Sequence, residues 1–377
     1  MSIPDWGIEK TNGRHEADRP VFRPRVVSRK GNQIRRAKIS WLWPNRIPRG
    51  RLTVIAGDGE TGKSFLTMAI AATVTTGARW PDGESNGAPG TVIVLNAEDN
   101  AEDTIAPRLD ACGADSAMYD VIDGTLRKEN GEAEFFSLAD DLRALESKII
   151  EVGAVLSIVD PLGAYLPGVD THRDADVRVV LGPLAALAER TGCAILAVCH
   201  LNKGASSRVS HRISGSLAFT NAARMCWLVG FDPEDSSQGP DRRRLMLPYK
   251  CNIIKKPPGL AFTIDDEGLR WLTDPVTMAA ESMLSELSAD ERTKKEQAEQ
   301  WLAALLARGP MPVNEIRRAA EADCIAWRTL EDAKKSLSVI SDRQGFGRAG
   351  HFVWLLNGSA IDRKPEVEES AVIGKLS

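Results

Sequence analysis

Between Leu52 and about Val229, short and almost wholly apolar runs alternate with longer stretches of helical periodicity. The runs fall at 52–56, 91–96, 118–122, 155–159 and 194–199, and helices are expected near 64–76, 101–111, 138–151 and 176–191. A run without polar alternation needs cover on both faces. Five such runs with helices between them predict an α/β fold, a doubly wound and mainly parallel sheet. From Leu245 to Leu272 the pattern changes. Runs at 245–249, 260–264 and 268–272 are divided by Lys255-Lys256-Pro257-Pro258-Gly259 and Asp265-Asp266-Glu267-Gly268. These turns predict an antiparallel ribbon at the sheet edge.

The flanks read differently. Residues 1–38 are rich in Arg, Pro and Gly and predict a flexible basic arm, with a short strand at Val26-Val27. The main domain is expected over 39–273, followed by a polar linker at 274–295. Residues 296–357 show helical patterns at 296–308, 313–320 and 326–337, then Gly345-Phe346-Gly347 and an apolar strand, His351 to Leu356. Three helices and a glycine-tipped hairpin predict a small C-terminal winged-helix domain of the helix-turn-helix type. Residues 358–377 read as a disordered tail.

Charge adds one asymmetry. The net charge is −4, but residues 1–40 carry ten Lys/Arg against four Asp/Glu, so the rest of the chain is strongly acidic. Such an arm is either a solvated tail or a nucleic-acid contact. Six cysteines without CxxC spacing argue against a zinc module or disulfide framework and for a reducing cytosol. With no apolar leader and no stretch able to span a bilayer, a soluble, cytoplasmic protein without membrane contact is expected.

The chemistry starts at GDGETGKS, residues 57–64, between the run Leu52–Ala56 and a helical pattern from Phe65. This is the P-loop pattern in its strand–loop–helix context. Gly57 and Gly62 allow tight turning beside phosphate oxygens, and free N–H groups at the helix start face the anion. The nucleotide-binding set is therefore Gly57, Asp58, Gly59, Glu60, Thr61, Gly62, Lys63, Ser64 and Phe65. Lys63 places a cation by the β- and γ-phosphates, and Ser64 offers a hydroxyl to Mg²⁺. The run 155–159 ends in Asp160, beside the P-loop in such sheets, where it can hold Mg²⁺ through water. The run 91–96 leads to Glu98 and Asp99. Glu98 comes first off the strand and is the candidate base for the attacking water, whereas Asp99 suits a helix cap. His200 ends the run 194–199, where it can sense the γ-phosphate. The loop beyond, 203–216, carries Lys203, Arg208 and Arg212 among small residues, so it can hold a nucleic-acid backbone or simply move at the surface. Arg224 and Lys250 flank edge runs without an evident partner in the sequence, and could reach a neighbouring subunit's ATP.

With these residues in place, about 40–272 resembles the RepA-like branch of RecA-type ATPases, relatives of the hexameric DnaB-like replicative helicases. The motifs that carry the likeness are GRLTVIAGDGETGKS, NAED at 96–99, LSIVDPL at 156–162, AVCHLNKG at 197–204, ISGS at 213–216, Arg224 before an apolar strand, and KCN at 250–252. The resemblance implies a homo-oligomeric ring, often of six subunits, with ATP and Mg²⁺ between neighbours. It implies Glu98 as catalytic glutamate, Asp160 at the metal, His200 as sensor, Arg224 and Lys250 acting in trans, and 203–214 as the central-channel DNA loop. No DnaB-type N-terminal domain, primase domain or RadA-type zinc finger is present in the sequence. In the winged-helix region, Arg328, Lys334 and Lys335 are candidate DNA contacts, although residues 286–355 carry eleven Lys/Arg against eleven Asp/Glu. Two functions remain open on this reading. One is an ATP-driven helicase or translocase on single-stranded DNA, in replication or recombination of a plasmid, phage or mobile element. The other is a non-motor oligomeric ATPase switch or regulator whose winged helix binds DNA or a partner protein.

Overall fold

The computed structural model describes residues 26–126, 131–171, 173–201, 217–237, 239, 241–265, 268–323, 325–344 and 351–357. The chain divides into two units, Met1–Ile39 and Ser40–Ser377. In the first, the described residues are exposed and hold one 3-10 turn, Gly31–Gln33. Val26 and Val27 form no strand, contrary to expectation; a strand needs a partner to satisfy its backbone.

The second unit is built on a nine-stranded sheet. Its strands are β3 (Leu52–Gly57), β4 (Val92–Asn96), β5 (Tyr119–Val121), β6 (Leu156–Asp160), β7 (Ala194–His200), β8 (Met225–Phe231), β9 (Arg244–Cys251), β10 (Gly259–Asp265) and β11 (Gly268–Val276). The order is β11-β10-β9-β8-β3-β7-β6-β4-β5. From β8 to β5 all neighbours are parallel. From β8 to β11 they are antiparallel, which is the predicted edge ribbon. A two-stranded hairpin, β1 (Trp41–Trp43) with β2 (Ile47–Pro48), precedes the sheet.

Residue alternation assigns each side chain to one of two cores. Leu52, Val54, Ile93, Leu95, Ile195 and Ala197 face one layer, with α3 (Leu142–Val152) and α4 (Asp174–Thr191). Ile55, Val92, Val94, Ile158, Leu196 and Trp227 face the other, with α1 (Lys63–Thr76) and α2 (Ala106–Ala111). Helices on both faces explain why the central strands are apolar throughout. The mixed sheet with parallel strands is an α/β architecture of the RecA-like kind.

Beyond the sheet, α5 (Leu217–Ala222) leads into β8, and α6 runs unbroken from Ala280 to Leu306. The helix begins inside the stretch expected as a linker, 274–295. The polar stretch there holds Glu281, Glu286, Glu291, Lys294 and Lys295 among alanines and leucines, all good helix formers, so polarity alone did not mark a linker. At one end Ala280, Met283 and Leu284 join the sheet's core, and at the other Ala298, Leu302 and Leu306 join a second, smaller core. That core is completed by α7 (Val313–Ala322), α8 (Trp327–Ser336) and a three-stranded sheet, order β12-β14-β13 (Met311–Pro312, His351–Leu355, Ile340–Gln344). The expected glycine tip, 345–347, and the tail from 358 lie outside the described residues.

A buried charge pins the first hairpin to the sheet. Arg46 is 3% exposed, and its Nε donates to Asp82 Oδ2 at 2.7 Å while Nη1 donates to the Pro258 carbonyl at 2.9 Å. Its guanidinium lies over the rings of Trp43 and Trp227, and Trp43 Nε1 also donates to Asp82. Burial lowers the Arg46 pKa, and Asp82 opposes that shift. Asp82→Ala would leave this cation buried without its counter-charge, so a loss of about 3 kcal/mol is expected in denaturant unfolding. A loss under about 1 kcal/mol would contradict this account of the hairpin.

Candidate nucleotide site

The register of the sheet assembles the site. Gly57, at the end of β3, pairs with His200 on β7 and Val229 on β8. Asn96, at the end of β4, pairs with Asp160 on β6. Strand β7 stands between β6, which ends in Asp160, and the P-loop strand β3. The side chains are nevertheless close enough for the Ser64 hydroxyl to lower the Asp160 pKa.

The loop itself shows which glycines geometry demands. A Cβ on Gly57 would collide with the Val229 carbonyl, and one on Gly62 with the Ile264 side chain. Gly62 also holds φ +83° as the N-cap of α1. Thr61 Oγ1 and Lys63 Nζ both donate to the Asp58 carbonyl, at 2.9 and 2.6 Å. Lys63 is buried, and burial lowers its pKa against the supporting fields of Asp160, Asp58 and Glu98.

Asp160 is 2% exposed, and its Oδ2 is buried with no hydrogen-bond partner. Burial pushes its carboxyl up to about 6, with Ser64 and Lys63 opposing and Glu98 and Asp99 adding to the rise. An orphaned buried carboxylate oxygen beside a serine hydroxyl fits a Mg²⁺ site. Among the described residues no three His, Cys, Asp or Glu are grouped to hold a metal. Mg²⁺ would therefore be held by Ser64 and Asp160 together with phosphate oxygens, as its usual chemistry asks.

Glu98 and Asp99 take opposite directions from one turn. The Asn96 side chain accepts from the backbone N–H of both, at 3.0 and 2.9 Å. Asp99 Oδ2 then pairs with Arg108 Nη1 at 2.6 Å, whereas Glu98 Oε1 lies 3.6 Å from His200 Nε2. Burial and then Lys63 lower the His200 pKa, with Glu98 opposing. Glu98 thus lies beside His200, and its charge acts on Lys63 and Asp160, whereas the Asp99 carboxylate is paired to Arg108.

The other expected residues lie elsewhere. Arg224 donates its backbone N–H to Leu52, at the start of β3. That is a strand's length from Gly57, roughly 17 Å at the usual rise per residue. Lys250 pairs with Cys226 near the same end. Contrary to expectation, Lys250 has clear partners within its chain. Its Nζ donates to the carbonyls of Thr220, Asn221 and Ala223, at 2.6, 3.3 and 3.2 Å. A cation at the C-terminal end of α5 satisfies carbonyls that the helix leaves open. On α8, Arg328 and Lys335 are exposed, but Lys334 is turned inward, 4.5 Å from the Trp354 ring centre, and is not on the outer face as expected. Lys203, Arg208 and Arg212 lie outside the described residues.

Two arginines escaped the sequence reading. Arg244, at the start of β9, packs against Gly62, and with Arg242 it flanks the Phe231 ring at 5.1 and 4.5 Å. Arg108 lies 4.9 Å from the Phe65 ring centre, in a groove of about 410 Å³ that Asp103, Asp265 and Gly268 also line. The three consecutive arginines at 242–244 were the available signal, but only the folding of β9 and β10 alongside β8 carries them to the P-loop.

The raised Asp160 pKa has a testable sign. A carboxyl whose pKa is higher folded than unfolded costs stability at high pH, and that cost fades as pH falls below the folded value. Asp160→Asn should raise the thermal midpoint of the nucleotide-free protein at pH 8, through a stability gain of at most about 3 kcal/mol. The gain should shrink below about pH 6. A midpoint lowered at pH 8 would contradict this electrostatic reading.

A search of curated proteins found no match. The family model described as the AAA domain (AAA_25) matches residues 16–206, half of the chain. With the P-loop in its strand–loop–helix setting and this match over half its length, the chain belongs to the AAA domain family of P-loop ATPases.

Proposed function

We propose that the protein is an ATP-driven motor on single-stranded DNA, a helicase or translocase of the RepA-like kind, working in the cytoplasm as a homo-oligomeric ring on plasmid, phage or mobile-element DNA. The observation that carries the reading is the convergence of Lys63, Ser64–Asp160 and Glu98–His200 at one end of the sheet. His200 adds the link to DNA, because β7 ends there and the chain passes directly into the loop 203–214.

In this scheme the γ-phosphate lies over the P-loop. Glu98 takes a proton from water as the water oxygen bonds to the γ-phosphorus and the bond to the ADP oxygen breaks. Lys63 offsets the negative charge gathering on the phosphoryl oxygens. Mg²⁺, when bound by Ser64 and Asp160, would neutralise charge on the β- and γ-phosphates. His200, beside Glu98, senses loss of the γ-phosphate and passes it to the loop beyond.

The ring reading is supported by Arg224, which lies too far from Gly57 to serve its own nucleotide. Lys250 joins it in trans only by releasing its three carbonyls. We read residues 296–357 as a winged helix, with α8 as the recognition helix. The outer face of α8 offers Arg328, Glu331, Asp332 and Lys335, and Lys335 lies 3.6 Å from Asp332. That balance favours a protein partner over DNA for this module, and it keeps the non-motor switch as the second reading.

Glu98→Gln should retain nucleotide binding and lose at least about 100-fold in turnover, while Lys63→Ala should weaken both. Near-normal hydrolysis by Glu98→Gln would remove the assigned base. Mixing Arg224→Ala protomers into wild type should depress ATPase activity more than dilution does. A strictly proportional loss would argue against the trans role.

A further inference from the structure

Glu98 is exposed and its side chain is held by a long contact, 3.6 Å, to His200 Nε2, yet a base displaced by about 1 Å loses much of its effect. The surrounding residues supply the missing constraint. Asn96 closes the turn off β4 through the N–H groups of Glu98 and Asp99. Asn100 then caps the following π-helical turn, Ala101–Ile105, accepting from Glu102 and Asp103 at 2.8 and 3.3 Å. That turn runs into α2, which carries Arg108 back over the same loop. There Arg108 pairs with Asp99, with side chains only 29% and 27% exposed, while its guanidinium lies over Phe65, the residue after Ser64.

We infer that Arg108 is a positioning residue for ATP hydrolysis: held between the Phe65 ring and the Asp99 carboxylate, it fixes the Glu98 loop relative to the P-loop helix. This rests on Glu98 as the base. The brace joins the two pieces that must stay in register for an in-line attack, the metal-binding serine and the water-activating glutamate. A half-buried pair stacked on an aromatic ring is screened less than a surface pair, so it can hold that distance.

The test is steady-state ATPase kinetics of the full chain, with affinity for a fluorescent ATP analogue and the thermal midpoint measured alongside. Arg108→Ala should lower kcat by about 10- to 100-fold, with KM and analogue affinity changed by less than about threefold. Arg108→Lys keeps the charge but not the planar fork, and should recover part of the loss. Asp99→Asn should fall in the same direction, and the double variant should be no worse than the poorer single one. An unchanged kcat in Arg108→Ala, a loss confined to KM, or a fully additive double variant would overturn the inference. Glu98→Gln, run in parallel, separates the two failures. If it is inactive while Arg108→Ala is normal, the brace alone falls, and if it turns over normally the base assignment falls and takes the brace with it.

Discussion

Parallel strands covered on both faces have nowhere to place chemistry except at their ends. Between Leu52 and Ala56, and along β4, β6 and β7, nearly every side chain is buried in one of two apolar layers. Gly57, Asn96, Asp160 and His200 are the points where those layers stop, and the register aligns them. The result is a thin polar rim set on a dry interior. Lys63 and Asp160 lie within that rim, each buried and each stabilised by the other's charge. Burial makes both groups costly to keep ionised, and the same low-dielectric setting would strengthen the pull of the Lys63 cation on a phosphate.

The antiparallel edge does a second job. It folds β9 and β10 back so that Arg244 reaches the P-loop glycine at one end while Lys250 closes the carbonyls of α5 at the other. Helix α5 follows the loop that carries Lys203, Arg208 and Arg212 in the sequence, and α6 leaves the same sheet for the second core. A single strand of that ribbon, β9, therefore touches Gly62 through Arg244 and α5 through Lys250. The α6 contacts with β8 and β9 bring the C-terminal module into the same structure.

Local signals were legible in the sequence. The P-loop declares itself because its glycines, Lys63 and Ser64 are contiguous, and the five apolar runs because burial on both faces leaves no polar alternation. Order off the strand favours Glu98 over Asp99; in the structure Asp99 pairs with Arg108, and Glu98 lies 3.6 Å from His200. What escaped was long-range or compositional. Arg244 and Arg108 matter only once distant segments meet, and Lys250 looked partnerless because main-chain carbonyls have no residue type to announce them. The stretch 280–295 looked like a linker because its polarity hid a helix anchored at both ends by apolar residues.

The central claim is that nucleotide turnover at this rim is coupled to single-stranded DNA through the end of β7. The direct measurement is the steady-state ATPase rate with and without single-stranded DNA at one fixed salt concentration, since backbone contacts weaken steeply with salt. The account predicts strong stimulation by DNA, lost when Lys203, Arg208 and Arg212 are neutralised together. Steady basal turnover that DNA does not change would contradict it and leave an ATP-driven switch in its place.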